Sequence, residues 1–200
     1  MTVKAVQLDR VAEIVSGYPH RRWAGDDQPT HRLVPISAID DQALSIRIES
    51  TQPLRPNADV GPALLRKGDV LFAIRGERRR AGVVGHDGPA PLVASEHTVV
   101  LRAAPGIDAR FLAWVLATPG VQRQLDAISR GSHIPFISRF DLAEIRIPLP
   151  PLPRQRAIVA LADLVRREHD LCSQLASLHA RLLYSPAVLS GPYREESRHE

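Results

Sequence analysis

Arginine supplies nearly all the positive charge of this chain, and its placement is the clearest sign of chemistry in the sequence. The 200 residues include 26 lysines and arginines against 22 aspartates and glutamates, and only Lys4 and Lys67 are lysines. A guanidinium group presents a planar fork of N–H donors that matches phosphate oxygens and guanine edges. The bias therefore favours a nucleic-acid partner, although high genomic G+C content would also enrich arginine over lysine.

Three segments concentrate basic side chains beside aromatic or hydroxyl groups. They are Tyr18–Trp23, Arg75–Arg80 and Arg130–Phe136. Exposed loops on a rigid scaffold are where binding residues collect, and aromatic rings among arginines can stack on bases. The candidate DNA-contacting residues are Arg21, Arg22, Arg75, Arg78, Arg79, Arg80, Arg130, Ser132 and His133. A solvated charged surface is the alternative for the first two segments.

The sequence contains none of the familiar catalytic or metal-binding motifs. It lacks a glycine-rich phosphate loop, a Gly-x-Ser-x-Gly elbow and a His-x-x-x-His pair. Asp69 with Glu77 is the nearest approach to a nuclease site, but no lysine follows. Cys172 is the single cysteine, which excludes a disulfide within the chain, and we expect it to be a small core residue. The residues argue for binding rather than catalysis, with no catalytic residue, metal or cofactor in this chain.

Several short elements must position the basic segments. Val70–Ile74 and Ala81–Val84 flank the densest arginine cluster, so that cluster is predicted to be the tip of a β-hairpin. Residues 5–17 are predicted to form a short amphipathic helix that ends at Gly17, because apolar residues recur there at helical spacing. Further strands are predicted at 33–36, 45–49, 92–94 and 97–102, and helices at 109–117, with Asp108 as its N-cap, and 119–129.

A proline-rich segment separates this body from a long helical pattern. Prolines 148, 150, 151 and 153 favour extended geometry, and Pro153 suits the first turn of a helix. Leucines then recur in steps of three and four, interrupted only by Glu168, as in a coiled-coil seam. The seam residues are Leu161, Leu164, Leu171, Leu175, Leu178 and Leu182. The alternative is an ordinary amphipathic helix packed on its own domain, but the pattern lasts longer than most globular helices.

Four stretches in this order resemble the DNA-specificity subunit of type I restriction–modification systems. They are Val6–Tyr18, Leu65–Gly76, Ser95–Leu101 and above all Leu142–Val159, in which a hydrophobic strand, a proline-rich run, Gln155 and a long helix follow one another. The resemblance covers roughly residues 5 to 183. Each motif alone is weak, and together they are specific.

The resemblance implies an α+β fold: a mixed α/β target-recognition domain with a twisted, mainly antiparallel sheet, followed by one long C-terminal coiled-coil spacer helix. We expect the DNA-binding domain at 1–150, the proline joint and dimerisation helix at 151–185, and a disordered polar tail at 186–200. Such a subunit is not an enzyme. It reads half of a bipartite site in double-stranded DNA and docks adenine methyltransferase subunits, which bind S-adenosylmethionine.

This chain holds one recognition domain and one helix, where a full-length subunit of the family has two of each. We therefore expect a half-length form that homodimerises through the helix, with the alternatives of a fragment or of pairing with a different half. No apolar run suggests a membrane span, and we expect a cytoplasmic protein. A protein-binding coiled-coil adaptor and a nuclease with an unfamiliar site are the competing functions.

Overall fold

The structure is a computed structural model, and it describes residues 4–19, 28–85, 90–131 and 133–184. The chain forms two compact units, Met1–Ala160 and Leu161–Glu200, so the division falls inside the last helix. The predicted tail at 186–200 lies outside the described residues. The DNA-binding role expected for residues 1–150 stays a prediction.

The strands are short. Ten of the described strands precede the first α-helix, and one lies between the third and the fourth α-helix. The strands are β1 (Lys4–Gln7), β2 (Ala12–Ser16), β3 (His31–Val34), β4 (Ile39–Asp40), β5 (Ser45–Ile46), β6 (Gln52–Leu54), β7 (Val70–Ala73), β8 (Ala81–Val83), β9 (Leu92–Ala94), β10 (Thr98–Ala103) and β11 (Arg146–Leu149). The α-helices are α1 (Ala109–Leu116), α2 (Pro119–Ile128), α3 (Arg139–Glu144) and α4 (Leu152–Leu183). Single 3₁₀ turns occupy Leu8–Arg10, Ile36–Ala38, Ile48–Ser50 and Gly61–Ala63.

The largest sheet has the order β2-β10-β7-β8-β5-β4, and only the β5–β8 pair is parallel. Its central strand β7 is buried on both faces, because successive side chains of a strand point to opposite sides. Val70 and Phe72 join one apolar core with helices α1 to α3. Leu71 and Ala73 join a second core on the other face. The predicted strand at 70–74 is confirmed, and burial on both sides makes it a rigid base for the loop that follows.

Two smaller sheets complete the fold. In one, β3 pairs antiparallel with β6 and parallel with β9. In the other, β1 pairs antiparallel with β11, so the start of the described chain meets the proline-rich segment. The sheets are mainly antiparallel, and a long C-terminal helix follows them. The predicted fold class is confirmed.

The predicted helix over 5–17 is wrong, because this segment forms β1, a 3₁₀ turn and β2. The spacing of Leu8, Val11 and Ala12 arises in the turn and in the first residue of β2, and all three side chains reach the same core. Pairing of β2 with β10 overrides the local helical pattern. Gly17 does not end a helix. A Cβ atom there would lie 1.9 Å from the Ser95 carbonyl oxygen, so glycine permits a close backbone approach.

The proline-rich segment begins as a β-strand and then leads into the long C-terminal helix. Residues 146–149 form β11, with Pro148 opposite Ala5 in a two-stranded sheet, where a missing N–H is tolerated. The strand predicted at 45–49 is also shorter than expected, because a 3₁₀ turn begins at Ile48. The helices predicted at 109–117 and 119–129 are confirmed. The Asp108 carboxylate caps the first by accepting from the backbone N–H groups of Arg110 and Phe111.

Helix α4 runs for 32 residues and begins with its proline in the first turn, as predicted. Its first turns bury Gln155 and Val159. In the second unit, the six seam leucines are between 52% and 63% exposed. The prediction that Cys172 is a core residue is wrong, since this side chain is exposed. Within the described residues, no helix combines the length and apolarity that a bilayer crossing requires.

Candidate nucleic-acid interface

The tip of the β7–β8 hairpin and the loop after α2 form one surface. The backbone N–H of Gly76 donates to the Pro135 carbonyl over 3.0 Å, and that of Ile137 donates to the Ile74 carbonyl over 2.9 Å. Arg75 and Phe136 face each other as an antiparallel bridge. We call residues 75–80 together with 130, 131 and 133–136 the basic surface. Two of the three basic segments found in the sequence therefore meet in the fold.

Exposure divides the arginines of the hairpin tip. Arg75 and Arg78 are exposed, and Arg80 is half-buried, with one guanidinium nitrogen 3.5 Å from the Ile39 carbonyl oxygen. Glu77 is an exposed acidic neighbour. Arg75 and Arg78 are thus the members of the tip with side chains open to a ligand.

Arg79 is buried, at 7% exposure, unlike its neighbour Arg78. Its guanidinium donates to the Gly76 carbonyl and, over 2.6 Å, to the Ser129 hydroxyl. Burial lowers the pKa of this guanidinium, and the charge of Asp126 opposes that effect. The hydrogen bonds of Arg79 connect the hairpin tip to Ser129, which directly precedes the loop that begins at Arg130. Its burial argues for a scaffold role, and its predicted DNA contact remains untested.

The loop side of the basic surface carries Arg130 and His133. The Arg130 side chain is 66% exposed, and its guanidinium lies 3.0 Å from the Asp141 carboxylate. Asp141 in turn accepts from the Ser138 hydroxyl over 2.8 Å, while the Ser138 oxygen caps α3 by accepting from the Asp141 backbone N–H. This network orients Arg130 without enclosing it. His133 is exposed.

The remaining predicted contacts, Arg21, Arg22 and Ser132, lie outside the described residues. Tyr18, one of the aromatic residues thought able to stack on bases, is 5% exposed. Its hydroxyl donates to the Asn57 side chain over 2.6 Å and accepts from the Asn57 and Ala58 backbone N–H groups. Tyr18 is therefore a core residue with a satisfied hydroxyl.

Sequence reasoning missed three exposed apolar residues, of which two belong to the basic surface and one is in α3, outside it. Ile134 is 62% exposed and Phe136 is 39% exposed. Phe140 is 74% exposed and stacks with Arg139, whose guanidinium carbon lies 5.1 Å from the ring centroid. The signal was present as Ile-Pro-Phe inside a basic loop, but a single sequence does not separate an exposed apolar residue from a buried one.

The basic surface offers charged, hydrogen-bonding and apolar side chains to a ligand. Among the described residues, no group of three or more His, Cys, Asp and Glu is arranged to hold a metal ion. The exposed guanidinium groups suit phosphate oxygens and the acceptor edge of guanine.

Comparison with known proteins gives one family. The model of the "Type I restriction modification DNA specificity domain" matches residues 58–174. No curated protein sequence matches the chain.

Solved structures share the fold at low sequence identity. The HsdS subunit from Thermoanaerobacter tengcongensis matches 93% of this chain and 41% of its own length, with 19% identity and a TM-score of 0.56. A chain from a study of complex assembly and conformational transition of the type I R-M system matches 90% and 42%, with 22% identity and a TM-score of 0.62. The S subunit from M. genitalium matches 91% and 44%, with 14% identity and a TM-score of 0.56. The chain thus spans less than half the length of these relatives.

Proposed function

Because this chain belongs to the family of type I restriction–modification DNA specificity domains, whose model matches more than half of it, we propose that it recognises DNA sequence for such a system. It reads one half of a bipartite site in double-stranded DNA and performs no chemistry itself. The adenine methyltransferase subunits that it directs bind S-adenosylmethionine, and the chain holds no cofactor of its own. The expected cytoplasmic location belongs to the same proposal.

The meeting of two basic segments carries the DNA-binding part of this proposal. Residues 75–80 and 130–136 are far apart in the sequence, yet backbone hydrogen bonds join them. Preorganised donors lose little conformational freedom when a ligand binds. Arg75, Arg78 and Arg130 are exposed on this braced backbone. Such an arrangement suits phosphate contacts that set the register and guanidinium contacts that read bases.

Selection of duplexes from a random DNA pool tests the function. The full chain is used at moderate salt, with and without its methyltransferase subunits. Enrichment of a defined sequence is expected, because base-edge contacts discriminate by about 1–3 kcal/mol for each good bidentate pair. Failure to enrich any sequence under both conditions would overturn the proposal.

A double substitution, Arg75→Ala with Arg78→Ala, tests the surface itself. We expect weaker binding to the selected duplex and a shallower dependence of affinity on salt, by about one unit of slope for each phosphate group that the variant no longer binds. Arg146→Ala is the matched control, since it removes an exposed arginine from β11, outside the basic surface. Equal affinity and equal salt dependence for the double variant and the control would remove this surface from the proposal.

We further propose that two copies assemble through α4. The exposed seam leucines support an apolar partner surface, and a homodimer presents two identical recognition domains. Such a dimer would read an interrupted palindrome. Pairing with a different half-subunit is the alternative, and it predicts two unlike half-sites.

The exposed seam also favours a second candidate function, a coiled-coil adaptor that binds only protein. This adaptor predicts assembly with a partner and no salt-dependent DNA binding in any assembly. The selection experiment therefore separates it from the specificity function. No observation of the structure favours the nuclease alternative, which predicts metal-dependent cleavage of DNA by the purified chain.

A further inference from the structure

The exposed apolar side chains of the first unit lie in one short segment. Among its described residues, the large hydrophobic side chains that are exposed are those of Ile134, Phe136 and Phe140. Isolated exposed apolar residues are common on protein surfaces, but a cluster marks a contact surface. Ile134 and Phe136 belong to the basic surface.

The backbone around Ile134 is held on both sides. Arg130 and Phe136 exchange two backbone hydrogen bonds, of 2.9 and 2.8 Å. Pro135, directly after Ile134, accepts from the Gly76 backbone N–H of the hairpin. Gly131 has a φ of +94°, and a Cβ atom there would lie 3.0 Å from the Ile134 carbonyl oxygen. The exposure of Ile134 is therefore set by a braced turn that needs a glycine.

Residues with cationic or hydrogen-bonding side chains lie near Ile134 along the backbone. Arg130 is in the same loop, His133 is adjacent, and Arg75 is on the neighbouring hairpin strand. A ligand that contacts Ile134 together with these polar side chains must present an apolar group between anionic or hydrogen-bond acceptor groups. The major groove of DNA does so at a thymine, where the C5-methyl group lies beside base acceptors and between two phosphate backbones.

We propose that Ile134 is a specificity-determining residue that packs on the C5-methyl group of one thymine in each half-site. This inference rests on the proposed function. It adds an apolar contact to the arginine contacts and selects thymine, because the other bases lack this methyl group. An apolar pocket on an acidic protein partner is the competing ligand, and the experiment distinguishes the two.

Replacement of thymine by uracil isolates the contact, because it removes only the methyl group. The probe is the duplex that the wild-type full chain selects, synthesised with uracil in place of each thymine in turn. At one thymine of each half-site, we expect the replacement to weaken wild-type binding about fourfold, the effect of one buried methyl group. The Ile134→Ala variant should bind the two duplexes equally.

Two further variants serve as controls. Ile134→Val keeps a branched apolar side chain, so it should still discriminate thymine from uracil. Phe140→Ala removes an exposed apolar side chain from α3 and should respond to uracil as the wild type does. Melting temperatures close to that of the wild type establish that all variants are folded.

Each other result overturns the inference. A selected site without thymine, or equal sensitivity of wild type and Ile134→Ala to uracil at every position, would remove the methyl contact and leave the proposed function standing. If Ile134→Ala binds DNA as the wild type does but no longer binds the methyltransferase subunits, Ile134 faces protein. If the wild type selects no sequence, the proposed function fails first, and this inference fails with it.

Discussion

Arg78 and Arg79 are neighbours in the sequence and occupy different environments. Arg78 is exposed at the hairpin tip, whereas Arg79 is buried with its guanidinium donating to Gly76 and Ser129. Burial of a guanidinium is costly unless hydrogen bonds compensate it. Arg79 pairs its two terminal nitrogens, whereas its buried Nε has no hydrogen-bond partner among the described residues. The same residue type is therefore exposed at one position and held within the fold at the next.

Substitution of Arg79 by alanine is expected to destabilise the fold. It removes hydrogen bonds from a charged donor and leaves the carbonyl of Gly76 with one partner fewer, a loss of about 1.5–3 kcal/mol in the free energy of unfolding. Urea unfolding measures the change. Arg78→Ala is the matched control and should stay within about 0.5 kcal/mol, since it is an exposed site.

The DNA affinities of the Arg78→Ala and Arg79→Ala variants complete the comparison of their stabilities. Arg78→Ala is expected to weaken binding by about 1–3 kcal/mol if the side chain reads a base. If Arg79→Ala instead keeps wild-type stability and binds DNA as weakly as Arg78→Ala does, Arg79 is a contact residue and its scaffold role is wrong.

The hydrogen bonds of Gln155 hold together the elements that meet at the end of the proline-rich segment. Its side-chain oxygen accepts from the Asp108 backbone N–H over 2.9 Å. Its amide nitrogen donates to the carbonyls of Pro150 and Gly106, over 2.9 and 3.3 Å. Only 1% of the residue is exposed. A glutamine has both a donor and an acceptor, and this junction of β11, α1 and α4 uses both.

Replacement of Gln155 by alanine tests this junction. The change removes the partner of the buried Pro150 carbonyl and of the partly buried Asp108 N–H, so we expect the free energy of unfolding to fall by about 1–3 kcal/mol. Arg156→Ala, at the exposed neighbouring position, is the control and should leave stability nearly unchanged. Equal stability of the two variants would show that the hydrogen bonds of Gln155 are dispensable.

The proposed homodimer involves the whole molecule, and substitutions in the leucine seam of α4 test it. Introducing two charges with Leu171→Glu and Leu178→Glu should abolish a dimer, because each carboxylate would be buried in an apolar seam without a partner. The control, Ser173→Glu with Ala180→Glu, adds the same charges at exposed positions outside the heptad seam.

Light scattering measures the mass of each form in solution. Wild type and control are expected at twice the mass of one chain, and the seam variant at the mass of one chain. A wild-type protein that remains monomeric when alone but pairs with a second, different subunit would replace the homodimer by a heterodimer.

Much of this protein followed from local patterns in its sequence. A short apolar run and a charged turn predicted the β7–β8 hairpin, Asp108 predicted the start of α1, and the leucine steps predicted the length of α4. These features depend on residues close together in the sequence, because apolar runs, helix caps and heptads are local patterns. The order of four motifs predicted the family, and the basic segments predicted which loops form the candidate binding surface.

Contacts between distant residues decided the rest. Residues 5–17 have helical spacing but form strands, because β10 and β11 supply their backbone partners. The burial of Arg79 and the exposure of Ile134 both arise where the hairpin meets the loop at 130–136. A residue's exposure depends on what packs over it, and that is fixed only when segments far apart in the chain come together. The sequence thus determined most of the elements and indicated the family, whereas the tertiary structure decided which side chains are exposed.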